Sequence, residues 1–248
     1  MMEFGADLSI TYVMGGLARE YDEDPLGRVV EWLAVADRSG MPVDPRLWAE
    51  GPIRSTYPAC MAVKAAAEQG SGAAGRYLRL LREGLMCFRR KLDAKEALVE
   101  EARGAGLDLP RFRVDLDSNA ILEAFGADLE ATRELPEGVG EPPVPDSGGT
   151  HRLPVLGFEG EDETHWCSGA APYEHWRAAA AAAGAAATGD PPPDVPGALR
   201  RFGRMATAEV EAVCDLPGPR AHAELWRLAA EWRVRPVRVL TGMLWELT

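Results

Sequence analysis

The sequence predicts an α+β fold in which a long helical stretch interrupts a small sheet, followed by a small C-terminal module. Three observations predict it. The run "LSITYVM" at residues 8–14 is apolar and β-branched and stops at Gly15-Gly16, as a buried strand does. Across residues 58–125 apolar side chains keep recurring at helical spacing, with only short turns between. Then "LPVLGF" and "THWCS", two short strands around an acidic turn, lead into the alanine-rich helix former "YEHWRAAAAAAGAAA".

The elements follow in order. Residues 25–39 place Val29, Val30, Leu33 and Ala36 at helical spacing, with Pro25 in the first turn and Gly40 after the end, so an amphipathic helix is expected. The helical stretch divides into "PACMAVKAAAEQ", "GRYLRLLREGLMCFRRKL", "DAKEALVEEARGAG" and "SNAILEAFG". Asp93 and Glu96 stand in capping order at the start of the third. Residues 134–149 are rich in proline and glycine and read as a surface loop. "DPPPDVP" at 190–196 is a stiff linker and the best boundary, separating a domain at 1–189, with its helical insertion at about 25–133, from a module at 200–248 across a spacer at 190–199. In that module "TAEVEAVCD" and "AHAELWRLAAEW" are two short helices, and "RPVRVLTGMLWEL" is a hairpin turning at Thr241-Gly242. The order is winged-helix-like.

Composition narrows the function classes. The net charge is −12 and the isoelectric point about 4.9, so the molecule as a whole repels nucleic acid and anionic membranes. No apolar run reaches the roughly 18 residues of a membrane helix, and "MMEFGADLSI" lacks the order of a secretory signal. A cytoplasmic location is expected. The C-terminal part is mildly basic, but its second helix sets Glu224 and Glu231 against Arg227 alone, which does not suit a DNA-reading helix.

Motifs that suggest chemistry mostly dissolve on inspection. Cys60, Cys87, Cys167 and Cys214 form no C-x-x-C pair, and Cys60 and Cys87 sit beside Met61, Val63, Leu85 and Met86 as core residues would. "GSGAAG" at 70–75 spells a dinucleotide fingerprint but joins two helices rather than a strand and a helix. "EGEDETHWC" gathers Glu161, Asp162, Glu163, His165 and Cys167. Hard carboxylates and a soft thiolate suit different metals, so a solvated hairpin turn is expected there. His151, His165, His175 and His222 show neither metalloprotease spacing nor a partner nucleophile elbow. No metal or organic cofactor is expected.

Four stretches in this order resemble the DsbA family of thiol-disulfide oxidoreductase-like proteins, in its cytosolic FrnE-like and adaptor-like branch: "YVMGGL", "STYPACMAVKAA", "LPVLGF" and "SGAAPYEHW". The resemblance spans about residues 1–187 and implies a thioredoxin-like fold with a helical insertion. It places Pro154 on the family's cis-proline, with Leu153 before it and Val155 after it, as the loop that offers backbone hydrogen bonds to an extended peptide. It places Cys60 at the start of an insertion helix, outside any redox motif. The family's C-x-x-C or C-x-x-S motif, which a helix N-terminus activates, is missing, so the thioredoxin-like part reads as N-terminally incomplete, with a first strand and motif expected upstream.

The family activity is thiol-disulfide exchange on a protein or peptide substrate, but no nucleophile stands in place for it. The competing readings are a non-catalytic adaptor, which holds a protein partner and forms a homodimer if its apolar module surface is buried, and a glutathione-dependent isomerase or transferase. Nucleic acid and membrane are not expected partners. Duplex DNA at micromolar concentration should leave the full chain unbound at low salt; salt-dependent binding in an electrophoretic shift would contradict this.

Overall fold

The computed structural model describes residues 3–21, 24–139, 154–169 and 171–248. A helical layer fills its first half. Helix α1 (Pro25–Ser39) starts where Asp24 Oδ1 accepts the Gly27 N–H at 2.9 Å and ends at Gly40, whose φ of 67° is the left-handed value glycine tolerates. After it come α2 (Leu47–Glu50), α3 (Tyr57–Ala67), α4 (Ser71–Met86), α5 (Lys95–Gly104), α6 (Leu109–Leu116) and α7 (Asn119–Ala131).

Alanine decides how closely these helices pack. Ala62, Ala65 and Ala66 of α3 are fully buried, which lets α4, α5 and α6 approach its axis. Tyr77, Leu81, Leu98, Ala102, Phe112 and Ile121 fill the space around them. Tyr77 lies edge-on to Phe112 at 5.3 Å and donates its hydroxyl to the Leu98 carbonyl at 3.0 Å, so the buried phenol is satisfied.

The α5 start differs from the sequence expectation. The N-cap is Ala94 with no side-chain bond, because Asp93 is drawn away to accept the Arg54 N–H at 2.7 Å. Helix α6, not expected from the sequence, is built by Asp108, which accepts the Arg111 N–H at 3.1 Å, and by Pro110 in the first turn.

The larger correction concerns residues 8–14. They are extended, and Leu8 has φ −115° and ψ 119°, but they are not a buried strand. Neither sheet includes them. A strand run needs a neighbouring strand to become part of a sheet, and among the described residues no neighbour lies beside this one. Ile10, Val13 and Leu17 are left 37%, 49% and 55% exposed.

β1 (Val155–Glu159) and β2 (Thr164–Ser168) form the expected antiparallel hairpin, in register from Val155 opposite Ser168 to Glu159 opposite Thr164. The acidic residues lie in its turn, closed by the Gly160 N–H on the Glu163 carbonyl at 3.0 Å. Helix α8 (Tyr173–Ala182) packs on β2. The carboxylate of Glu3 holds α8 from the other side, accepting from Tyr173 Oη at 2.7 Å and from Arg177.

The C-terminal part runs α9 (Val195–Phe202), β3 (Met205–Ala206), α10 (Thr207–Val213), α11 (Pro219–Ala230), β4 (Val234–Val239) and β5 (Gly242–Leu247). Its three strands lie in the order β3-β5-β4, all antiparallel. The stiff spacer is shorter than the sequence predicts: Asp194 caps α9 through the Gly197 N–H at 2.8 Å, so extended chain ends there. The hairpin turns at Leu240 and Thr241, with Gly242 already paired to Val239. Pro236 falls on β4, an edge strand, where a missing N–H is tolerated. Of the three tryptophans expected to supply apolar surface, Trp245 is fully buried, its Nε1 donating to Thr207 Oγ1 at 2.9 Å, whereas Trp226 and Trp232 are 43% and 83% exposed.

This part docks on the helical layer through charge and a short clasp. Arg79 of α4 donates to Glu83 at 2.7 Å, to Glu209 of α10 at 2.8 Å and to the Arg204 carbonyl at 2.7 Å. Arg204 returns to Glu83 at 3.1 Å and holds Glu246 of β5 at 2.7 Å. Beside them Thr241 and Val43 exchange backbone and hydroxyl bonds, the Val43 N–H reaching Thr241 Oγ1 at 2.8 Å. Cys87, Ala206, Val239 and Leu244 form the apolar floor of the junction.

Arg79→Ala leaves the buried Glu83 and half-buried Glu209 without their shared cation, at a cost of about 2–3 kcal/mol. The expected result is a lowered thermal midpoint, with residues 195–248 losing amide protection before the helical layer. Glu31→Ala, which removes only the exposed pair with Arg28, should change stability by less than about 0.5 kcal/mol. Equal losses in the two variants would contradict the role given to Arg79.

Candidate protein-binding site

Two pairs of sequence stretches meet in space. In the first, residues 12–18 lie across the start of α3 and the end of α7. The Met14 N–H donates to Asp128 Oδ2 at 2.8 Å, and the other carboxylate oxygen takes Lys64 Nζ at 2.9 Å. Asp128 is therefore a buried carboxylate held by one cation and one backbone donor, and it pins the extended segment to α3 and α7 together. Gly16, at φ 54°, sits where a Cβ would come within 2.6 Å of Leu129 Cδ2 and 3.0 Å of both Phe125 and Tyr57. Only glycine fits there. Two residues on, the Ala18 carbonyl accepts the Thr56 N–H at 3.0 Å and the Ala18 N–H reaches Thr56 Oγ1 at 3.0 Å.

Cys60 lies under this turn, in the first half of α3, with the Gly16 N–H against its sulfur. Burial pushes its thiol up to about 11, more than that N–H offsets, and the Asp128 charge adds to the rise. Burial likewise pushes Cys87 and Cys214 up to about 11. Cys87 donates to the Pro42 carbonyl at 3.2 Å in the junction with the C-terminal part. These three are protonated at neutral pH, the reverse of an activated redox thiol. The core expectation holds for Cys87; Cys60 is only half-buried by surface, but its sulfur behaves as a core group.

The second pair joins "LPVLGF" to the entry of α8. The Pro154 carbonyl accepts the Gly169 N–H at 2.9 Å, and Cys167 Sγ reaches the His175 carbonyl at 3.7 Å. Pro154 is exposed and Val155 half-buried at the head of β1. Leu153 lies outside the described residues, and with it the Leu153–Pro154 bond. Among the described residues β1 and β2 pair only with each other, so Pro154 and Val155 share no sheet there with residues 8–14. Among the described residues no cluster of His, Cys, Asp and Glu is placed to hold a metal ion. A surface hollow of about 240 Å³ between residue 4 and α8 has its polar end filled by the Glu3–Arg177 pair.

The order and spacing of these parts match known proteins. A family model described as thioredoxin matches residues 2–143, more than half of the chain. The chain belongs to the thioredoxin family. A solved structure of a candidate protein disulfide isomerase from Nitrosomonas europaea superposes on this thioredoxin-family chain with a TM-score of 0.56 at 18% identity, covering 68% of this chain and 78% of the other. The fold is thus thioredoxin-like, with a helical insertion. Among curated proteins, the ClpXP adapter protein SpxH of Halalkalibacterium halodurans is 28% identical over 219 residues, covering 87% of this chain and 67% of its own length. The protein of that name from Bacillus subtilis is also 28% identical, over 87% of this chain and 70% of its own. No helix among the described residues is long and apolar enough to cross a membrane.

Neither Gly16's close approach nor Asp128's bridging role was expected from the sequence. The glycine pair after an apolar run was the visible signal for the first; the second had none, since Asp128 is one acid among many on an amphipathic helix.

Alkylation by iodoacetamide at pH 7.5 should proceed at Cys60, Cys87 and Cys214 far more slowly than with free glutathione. A thiol whose folded pKa is raised from 9.0 to about 11 stabilises the fold below pH 9, a contribution lost as pH climbs toward 11, so the midpoint of thermal unfolding should fall across that interval. Rapid labelling of Cys60 at pH 7.5 in the folded protein would contradict this.

Proposed function

We propose that this member of the thioredoxin family is a non-catalytic adaptor that holds a protein client and presents it to a ClpXP-type protease. The observation that carries the reading is the state of the thiols: Cys60, under the turn at Gly16, is a buried acid far weaker than water-exposed thiols, and no second cysteine lies near it in sequence. Thiol-disulfide exchange needs a thiolate with access to a substrate disulfide. Cys60, Cys87 and Cys214 do not supply that group, which favours binding as the role of this scaffold. The curated relatives named as ClpXP adapters support this over oxidoreductase and glutathione-dependent readings.

The C-terminal part supports a protein partner over nucleic acid. Several of its cations are matched by its own acids: Arg227 is held by Glu224 at 2.7 Å and Glu231 at 2.5 Å, and Arg204 by Glu246 at 2.7 Å. What it leaves exposed is aromatic, in Trp226 and Trp232. Its element order is that of a winged helix, read here as a partner-facing module rather than a DNA reader. Pro154 and Val155, with Leu153, remain the proposed peptide-contacting loop of the thioredoxin-like part.

The test adds the full chain to ClpXP and a lysate of the source organism and follows protein half-lives. At least one protein should be degraded several-fold faster only when the chain is present, while insulin disulfide reduction with glutathione stays at the uncatalysed rate. Turnover of insulin without any change in half-lives would overturn the adaptor reading in favour of redox chemistry.

A further inference from the structure

Helix α11 ends in a left-handed turn whose pivot is Trp232. The Trp232 N–H donates to the Ala229 carbonyl and the Arg233 N–H to the Leu228 carbonyl, each at 3.0 Å, the paired bonds that close a helix through one residue of positive φ. Trp232 holds that place at φ 59°, a conformation that suits glycine and costs free energy for a residue with a Cβ. Its side chain recovers nothing within the chain. The indole is 83% exposed and has no hydrogen bond or ring contact among the described residues. A large apolar side chain held in solvent, at a backbone position that glycine would fill more cheaply, has its use outside the chain.

The surroundings define a face. Trp226, less than two helical turns before Trp232, is 43% exposed and meets the buried Trp245 edge-on at 5.2 Å. Trp245 stands opposite Pro236 in the β4–β5 register and Met243 opposite Arg238, so Pro236 and Arg238 lie on the sheet face that α11 covers. The other face, with Val237, Val239 and Leu244, meets Cys87 and the helical layer. Trp226, Pro236 and Arg238 are therefore on the side of the C-terminal part turned away from α4.

Charge says what kind of partner fits. Glu224 and Glu231 both converge on Arg227, at 2.7 and 2.5 Å, and Arg235 is taken by Glu246. Arg220 and Arg238, both exposed, have no carboxylate among the described residues. Tryptophan and arginine are the residues that most often anchor protein interfaces, and cations left without acids beside exposed indoles call for carboxylates from the other side.

Resting on the adaptor reading for the kind of partner, we infer that Trp232 and Trp226, with Arg238, form a docking face for an acidic amphipathic segment of a protein partner. The apolar side of that segment covers the indoles, and one of its carboxylates meets Arg238.

The test uses the full chain and two capped amphipathic peptides, one of leucine and glutamate and one of leucine and glutamine. The glutamate peptide should shift the tryptophan emission and bind about tenfold tighter than its glutamine counterpart. Trp232→Gly should weaken binding of both peptides about tenfold or more without lowering the thermal midpoint, because glycine suits the turn. Arg238→Ala should erase the difference between the peptides, and Arg238→Lys should restore part of it. A thermal midpoint that falls in Trp232→Gly means that the indole packs within the chain, and overturns the inference. Unchanged peptide binding by that variant overturns it too, as does a dimer of the parent that dissociates on dilution and is lost in Trp232→Gly, since a second copy then covers the face. Equal affinities for the two peptides overturn the role of Arg238. A Trp232→Gly chain that speeds ClpXP degradation as well as the parent does sinks this face alone and leaves the adaptor reading in place. A parent chain that speeds no degradation, with both peptides bound as expected, overturns the adaptor reading and leaves the face as a protein-binding surface.

Discussion

The guanidinium of Arg79 is the constraint on which the arrangement of the two halves depends. It leaves the middle of α4 and meets carboxylates from its own helix and from α10 together with a main-chain carbonyl at Arg204. Its five donors in a planar fork suit such a junction, where a lysine would reach one partner at a time. Glu83 is buried and tolerates that only because two arginines face it. Glu209 in turn accepts the Ala206 N–H at 2.7 Å, so the same carboxylate that docks the C-terminal part also begins its second helix. Docking and local folding share a residue.

With the C-terminal part fixed against α4, the segment at residues 41–46 is trapped between them. The Asp44 N–H donates to the Met86 carbonyl at 2.6 Å, and its carboxylate takes Arg46 at 2.5 Å and Arg89 at 3.3 Å. The hydrogen bond from Arg46 leads in holding Asp44 below the ordinary carboxylate range, so the group contributes stability that disappears as pH falls through its folded pKa. Two separate charge clusters, one at the middle of α4 and one at its C-terminal end, thus flank the same junction.

Local features were legible in the sequence because their causes are local. The proline and glycine that bound α1, the alternation of the β1–β2 hairpin and the helix-helix-hairpin order near the C-terminus all follow from residues within a few positions of each other. Helix α6 escaped notice because its eight residues mix a proline, two arginines and an aspartate with the apolar positions and give too little periodicity to read. The apolar run at residues 8–14 was read as buried because composition reports what a segment suits, not whether a neighbour is there to complete it. Pairings such as Arg79 with Glu209 and Met14 with Asp128 join residues more than a hundred positions apart and leave no trace in one sequence. The resemblance to the thioredoxin family was legible because it rests on order, and the structure shows why that order holds: "YVMGGL" and "STYPAC" are the two sides of one tight contact at Gly16.

The placement of Pro236 has a bearing on how copies of this protein can associate. A sheet grows by donating its border strand to a neighbour, and repeated growth of that kind ends in filaments. Here one border of the three-stranded sheet is β3, two residues long, and the other is β4, interrupted by a residue that cannot donate. Neither side offers a ladder that a second copy can extend. Self-association of the C-terminal part must therefore go through side chains, with the exposed indoles of Trp226 and Trp232 as available apolar surface.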